Sequence, residues 1–263
     1  MDNQFQESDL PIGELRKLGL IQNGKPILSG EDIDALLGGH RTELITLHNL
    51  HADGINIRKI DAKLSLERMP NGHVTVQLHP IYRETKKHPL LIDIEADQLE
   101  RGALTNVLKT YQAPDGKKRS WLIEYDPQTR EFISSDPEKV QIPEQVNGET
   151  LTELQKEHYR DGSVIELSDG TLLQRRASSR SGVTSNRSAL VFSLLLDGGI
   201  SYLLLRGLGN ITNSWTEQKD PYTEGYKKAM QEMHERQQGA GKDTEDNQRK
   251  NQHSRSLGKW RFR

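Results

Sequence analysis

The feature that most constrains the fold is a period-two alternation on both sides of Pro70-Asn71-Gly72. Apolar residues stand at positions 62, 64 and 66 before this triplet and at positions 74, 76 and 78 after it, with polar residues between them. Asn-Gly is a strong hairpin signal because both central residues tolerate positive φ. The pattern therefore predicts an antiparallel hairpin with one apolar face and one solvated face.

Two short helices are predicted ahead of this hairpin. The first spans Leu10 to Leu20, with Asp9 as its N-cap and Gly19 at its end. The second is capped by Ser29 and has its apolar stripe at residues 33, 36 and 37. A DNA-reading helix-turn-helix is the alternative, but the second helix carries acids where phosphates need basic residues. We favour a helical hairpin that covers the sheet.

A helix followed by a run of strands is predicted next. The helix spans Asp97 to Leu108, and a turn at Asp115-Gly116 leads into a strand with apolar residues at 121, 123 and 125. The acids at 93, 95 and 97 could bind a divalent metal, but acids ahead of a helix also stabilise its dipole, and we favour that reading. The same order of helix, Asp-Gly turn and strands returns between Val140 and Arg206, with its helix at Thr150 to Arg160.

This recurrence suggests the domain organisation. We predict an N-terminal domain at residues 1–90 and a helix-plus-β-hairpin domain at 91–210, in which 94–134 and 150–206 are a possible internal duplication. Residues 211–263 form a linker helix and a tail. The fold class is α+β: a small helical hairpin on an antiparallel sheet, then helix-plus-β-hairpin units, then a disordered C-terminal tail.

Two features of the second unit concern function. The strands Leu190 to Leu196 and Ile200 to Leu205 are almost continuously apolar, which predicts burial on both faces or pairing with a partner chain. A serine-rich loop lies before them. Its arginines suit contact with a phosphate backbone, and a solvated loop without function is the alternative. These arginines are Arg175, Arg176, Arg180 and Arg187.

The C-terminal part offers two further candidate surfaces. A helix at Tyr222 to Gln238 would align Tyr222, Tyr226, Met230 and Met233 on one face, which suits docking on another protein or on the body of this one. Disorder is predicted from 239 to 258. A basic, aromatic end could grip single-stranded nucleic acid or a protein groove. Its candidate residues are Arg249, Lys250, Arg255, Lys259, Trp260, Arg261 and Arg263.

Composition and missing motifs exclude several classes. The 263 residues include no cysteine, which removes disulfides, thiolate metal sites and cysteine nucleophiles. No apolar window is long enough for a membrane helix, and Met1 to Asp9 is polar and acidic, unlike a signal peptide, so we expect a soluble cytoplasmic protein. His73 and His79 would lie about 20 Å apart on one strand, too far for one metal ion. No phosphate-loop, nucleophile-elbow or zinc-protease motif occurs, and we predict a non-enzyme without cofactor.

Two stretches resemble known bacterial domains of unknown function. The first match rests on residues 10–19, on residues 61–66 and on His79-Pro80-Ile81, and the second on residues 142–162 together with Asp126, Thr129 and Glu131. This pair of domains is common on conjugative and mobile elements of Bacteroidetes and is sometimes fused to type IA topoisomerase-like proteins. Here the Gly-Lys-rich hairpin usual after Asp169 is replaced by the longer serine-arginine loop.

The resemblance implies an accessory protein of a mobile genetic element. Combined with the basic loop and tail, it leads to the hypothesis of a non-enzymatic module that associates with DNA non-specifically and in a salt-dependent way. The alternative is a protein–protein interaction adaptor without nucleic-acid binding, whose partner comes from the same element. No membrane partner is expected.

Overall fold

The computed structural model describes residues 5–52, 55–113, 115–196, 199–211 and 218–236. Helices and antiparallel strands are mixed along the chain, as the sequence predicts. The helices are α1 (Ile12–Lys17), α2 (Gly30–Leu37), α3 (Asp93–Glu100), α4 (Glu153–Arg160) and α5 (residues 224–236). Short 3-10 turns lie at Glu7–Asp9 and Pro137–Lys139.

The strands form small sheets. In the N-terminal unit they are β1 (Ile21–Gln22), β2 (Lys25–Pro26), β3 (Ile45–Ala52), β4 (Ile55–Arg68) and β5 (Val74–Pro80). The middle unit has β6 (Val107–Gln112), β7 (Lys118–Asp126) and β8 (Glu131–Ser135). The remaining strands are β9 (Gln145–Val146), β10 (Glu149–Thr150), β11 (Ile165–Glu166), β12 (Leu172–Arg175), β13 (Val183–Ser185), β14 (Ala189–Leu196), β15 (Gly199–Arg206) and β16 (Gly209–Asn210).

The predicted hairpin around Asn71-Gly72 is the β4–β5 pair. Its register places Leu64 opposite Leu78, and Leu64 is fully buried against the helices above the sheet. The turn differs from the prediction, because Gly72 has positive φ and Asn71 does not. Gly72 N–H instead donates to the Met69 carbonyl at 2.8 Å, so residues 69–72 form a turn with Pro70 at its second position and the glycine at its fourth.

The two N-terminal helices cover this sheet. Leu15 of α1 and Leu36 of α2 are both fully buried in one cluster with Leu47 and Leu64 of the sheet. The predicted first helix, Leu10 to Leu20, was too long, and Asp9 is not its N-cap. Pro11 takes that place, since the Asp9 side chain accepts from Gln6 N–H and pairs with Arg68. Ser29 caps α2 as predicted, accepting from Asp32 N–H.

The middle unit corrects one helix prediction. The predicted helix from Asp97 to Leu108 is wrong: α3 ends at Glu100, and Val107 and Leu108 begin β6. Gly102 adopts φ +69°, which ends the helix, and exposure alternates residue by residue along β6 as in a strand with one covered face. Asp93 and Glu95 lie in the first turn of α3, where the helix dipole favours acids.

In the unit after Val140 the short strands β9 and β10 precede α4, which is capped reciprocally by Thr152 and Gln155. The strands β11, β12 and β13 then form a meander, and β16 joins it in parallel beside β13. The stretch predicted as a loop therefore contains a strand, β13. The order in this unit is helix, strand, Asp-Gly turn and two further strands, which is also the order from α3 to β8.

The β14–β15 hairpin belongs to a separate sheet, with the order β10-β9-β14-β15. Successive side chains of β14 pack into different hydrophobic clusters, one on each face of the sheet. Leu190 packs in the hydrophobic cluster that contains Tyr159 of α4, called the α4 cluster below. Val191 packs with Tyr226 and Ala229 of α5 in a second cluster, called the α5 cluster. Both β14 residues are fully buried. Of the two outcomes that the sequence left open, burial on both faces holds for residues 189–194 of β14, whereas Leu195 is exposed and β15 is only partly buried.

Candidate functional site

The serine-arginine loop is anchored by one buried carboxylate. Glu124 on β7 is fully buried and accepts hydrogen bonds from Ala177 N–H at 2.9 Å and from Ser178 N–H at 3.2 Å. The Ser178 hydroxyl adds a third at 3.0 Å, and Nε of Arg176 lies 3.2 Å away. A buried carboxylate with this many donors is fully compensated, so the loop is held to the middle unit.

Arg175 and Arg187 are buried inside the protein. Arg175 donates to the Ser135 hydroxyl and to the Arg160 carbonyl, both at 3.1 Å. Burial lowers the pKa of Arg175 despite the opposing charge of Glu124. Arg187 donates to the Thr171 hydroxyl and to the carbonyls of Asp169 and Asp220. Neither guanidinium is presented to a phosphate backbone.

Arg180 links the loop to the N-terminal unit. Its guanidinium pairs with Glu31 and lies 3.9 Å from Asp32, both in the first turn of α2. Beside this pair the His40 ring packs on Gly182, where a Cβ would overlap the imidazole. Burial, assisted by the charge of Arg175, lowers the pKa of His40 to about 4. The loop is thus a junction between the three units.

The four loop arginines are therefore engaged within the chain. Each guanidinium bonds to a carboxylate, a carbonyl or a hydroxyl of the chain, and a phosphate would have to compete with these bonds. Contact of these arginines with phosphates stays a prediction. The other residues of that hypothesis, six basic residues and one tryptophan, lie outside the described residues: Arg249, Lys250, Arg255, Lys259, Trp260, Arg261 and Arg263.

The predicted partner-binding stripe packs on the protein's own body. Tyr226 and Met233 of α5 are 5% and 7% exposed, and Met230 packs on the cluster formed with Val191 of β14. Of the two placements that the sequence left open, the structure shows the internal one. Tyr222 remains 65% exposed, with its ring edge-on to Tyr226.

A polar chain with triad-like chemistry crosses from the N-terminal to the middle unit. The Ser65 hydroxyl lies 2.8 Å from Nε2 of His79, and Nδ1 of His79 lies 3.5 Å from Glu131. Burial opposes ionisation of Glu131, but the His79 contact and the Arg41 guanidinium 2.7 Å away lower its pKa to about 2. Lys63 and Asp126 form a second, almost fully buried pair at 2.8 Å.

This chain of contacts joins the N-terminal sheet to β8 of the middle unit. Ser65 lies within the β4–β5 ladder, opposite Gln77, and ladder strands use their N–H groups on the neighbouring strand.

No group of three or more metal-binding side chains is assembled within the described ranges. A cleft of about 260 Å³ lies between the end of α3 and the β7–β8 turn. Arg176 lines it but already contacts Glu124. No helix in the described part of the chain has the length and apolar content needed to cross a membrane.

The outer edge of β15 is the most distinctive open surface. β15 is the last strand of its sheet: β14 pairs with one side of it, and no strand among the described residues pairs with the other side. The Arg236 guanidinium of α5 donates to the carbonyl of Ile200 in β15 at 3.5 Å. At the tip of the hairpin Leu195 faces Ile200 across the ladder, and these side chains are 66% and 40% exposed. An apolar edge of this kind is a template for another strand.

The comparisons with known proteins bear on the N-terminal unit. Residues 5–89 are similar to a family described as "Protein of unknown function (DUF4099)". This supports the first of the two domain resemblances and leaves the second, and the mobile-element context, as proposals. Neither a curated protein nor a solved structure shows significant similarity to the chain.

Sequence reasoning missed the burial of Glu124, whereas for β15 it left pairing with a partner chain open as an alternative to burial. Glu124 stands between Ile123 and Tyr125, so the alternation assigns it to the solvated face, and only its partners in the distant loop show otherwise. The edge left a signal in the sequence. The strand from Gly199 to Arg206 contains no proline and no charge before its last residue, unlike an edge exposed to solvent.

Proposed function

We propose that the chain is a non-catalytic protein-interaction module whose docking element is the outer edge of β15. The observation that carries this proposal is the position of an eight-residue, almost uncharged strand at the edge of its sheet. An added strand would gain main-chain hydrogen bonds from the edge and side-chain contacts on both faces.

The contrast with β5 supports the assignment. At that edge the Glu14 carboxylate accepts from Val76 N–H at 2.7 Å, and β5 ends in Pro80. Such devices stop a sheet edge from pairing with another strand. β15 has neither a proline nor a carboxylate that caps its N–H groups in the part of the chain that the structure describes.

The test is the binding of a fluorescein-labelled peptide with the sequence of residues 199–206, made soluble by added lysines, measured by fluorescence anisotropy. The full-length chain should bind it. Ile200→Lys, which places a charge at the edge, should weaken binding at least about tenfold. Ile55→Lys is the matched control, since Ile55 is a strand isoleucine that is 63% exposed elsewhere. Absence of binding, or equal weakening by both variants, would sink the proposal.

Association with nucleic acid remains a second candidate, and it rests on the tail. Residues 249–263 carry six basic residues and no acid. A short basic segment of this kind binds the phosphate backbone in a salt-dependent way. We propose on that basis, and on the resemblance to mobile-element domains, that the chain also acts near DNA processing.

A mobility-shift assay separates the tail from the loop. Removing residues 249–263 should abolish DNA binding at low salt, whereas Arg180→Ala should leave it unchanged because Arg180 is paired with Glu31. No shift with the full-length chain at low salt would remove this candidate function.

A further inference from the structure

We infer that the strand taken up at the β15 edge belongs to a second copy of this chain, so that two sheets join into one across a two-fold axis at Tyr202. The inference rests on the proposed docking role of β15 and names its partner. Identical edges can pair antiparallel when the surface is self-complementary about such an axis.

The side chains of β15 meet this condition. Tyr202 and Leu204 face the α5 cluster, and Leu203 and Leu205 face the α4 cluster. A two-fold axis perpendicular to the sheet keeps each face continuous, so only residues of the same face oppose each other. The axis must therefore lie midway between the two copies of one residue, which face each other across the seam.

Centring the axis on Tyr202 gives the better of the two central registers. It places the exposed Ile200 opposite Leu204 of the second copy, and it leaves the charged Arg206 outside the seam. Centring on Leu203 would instead place Arg206 opposite Ile200. Covering Ile200 with leucine removes apolar surface from water, whereas a charge in the seam would have to be desolvated.

The charges beside Tyr202 are also self-complementary. The Tyr202 hydroxyl donates to Glu232 at 3.2 Å, and the Arg236 guanidinium lies 5.5 Å from the centre of the Tyr202 ring. Both α5 residues therefore lie close to the inferred axis. In the dimer Glu232 of one copy approaches Arg236 of the other, and opposite charges alternate around the axis. This arrangement fits a second copy better than an unrelated apolar strand.

The absence of cysteine from the chain allows a direct test. Tyr202→Cys places two thiols opposite each other at the axis, within the range that a disulfide can bridge. Under mild oxidation, full-length Tyr202→Cys should form a covalent dimer. Leu154→Cys, at an exposed position on α4, should form no covalent dimer, because the inferred axis does not bring its two copies together. Sedimentation of the wild-type chain should show a concentration-dependent dimer that Ile200→Lys disrupts.

The outcomes separate this inference from the function on which it rests. A wild-type chain that stays monomeric while it binds the 199–206 peptide would overturn the second copy as partner and leave the docking role standing. A monomeric chain that also fails to bind the peptide would overturn both. A dimer that cross-links through Leu203→Cys and not through Tyr202→Cys would overturn the inferred axis.

Discussion

The hydroxyl of Ser178 donates a hydrogen bond of 3.0 Å to the carboxylate of Glu124, 54 residues earlier in the chain. Glu124 lies in the middle unit, and Ser178 lies in a loop that also reaches α2 through Arg180. This contact makes the serine-arginine loop part of the protein interior. The same carboxylate also pairs with Arg176 of the loop.

Glu124→Gln should destabilise the protein by about 2–4 kcal/mol, because the loop N–H groups and Arg176 lose a buried anion. Urea unfolding of the full-length chain measures this loss. Glu138→Gln is the control, since Glu138 is exposed and its side chain makes no ion pair in the described chain. Equal stability of the two variants would contradict the anchoring role of Glu124.

The loop arginines should differ sharply in their contribution to stability. Arg187→Ala removes hydrogen bonds to Thr171, Asp169 and Asp220 from a buried site and should cost about 3 kcal/mol. Arg180→Ala removes a pair with the exposed Glu31 and should cost less than about 1 kcal/mol. Both free energies of unfolding come from urea titration. A larger loss for Arg180→Ala would reverse the assigned roles.

His40 should make the protein less stable as pH falls from about 6.5 to about 4. Its pKa is lowered to about 4 in the folded state by burial and by Arg175, against an ordinary value of 6.5. Between these values the unfolded chain binds the proton more readily, so acid favours unfolding. Urea midpoints measured across this window should fall with pH, and His40→Gln should flatten the slope. An unchanged slope in the variant would exclude His40 as its source.

Glu131 should act in a lower pH window. The contacts with His79 and Arg41 lower its folded pKa to about 2 against an ordinary value of 4.5. The stabilisation is therefore complete above about pH 4.5 and is lost as pH falls toward 2. The stability difference between the wild type and Glu131→Gln, followed by thermal unfolding, should shrink over that range. A constant difference would show that ionised Glu131 is not stabilised by its neighbours.

The sequence predicted local features more reliably than distant contacts. Period-two alternation located β4, β5 and β7, and the Ser29 cap was readable because a cap lies within three residues of its partner. The strand β13 was missed because its three residues lie among serines and arginines, and it forms only by pairing with β12 and β16.

The candidate site was the harder problem for the same reason. Whether an arginine is free or bonded depends on residues far away in sequence, such as Glu31 for Arg180. Tyr226, Met230 and Met233 of the predicted stripe lie on α5, but Tyr222 precedes the helix and is exposed. Periodicity alone does not say which surface covers the face of a helix. The apolar runs were the better guide, since they mark both the buried β14 and the open edge of β15.

The most direct test of the account is hydrogen–deuterium exchange of the full-length chain with and without the unlabelled 199–206 peptide. Amide exchange within residues 199–206 of the protein should slow when the peptide is added, because the outer N–H groups of β15 gain partners. Exchange in β5, whose edge is capped by Glu14, should not change. Unchanged exchange in β15, or equal slowing in both strands, would contradict the docking role of this edge.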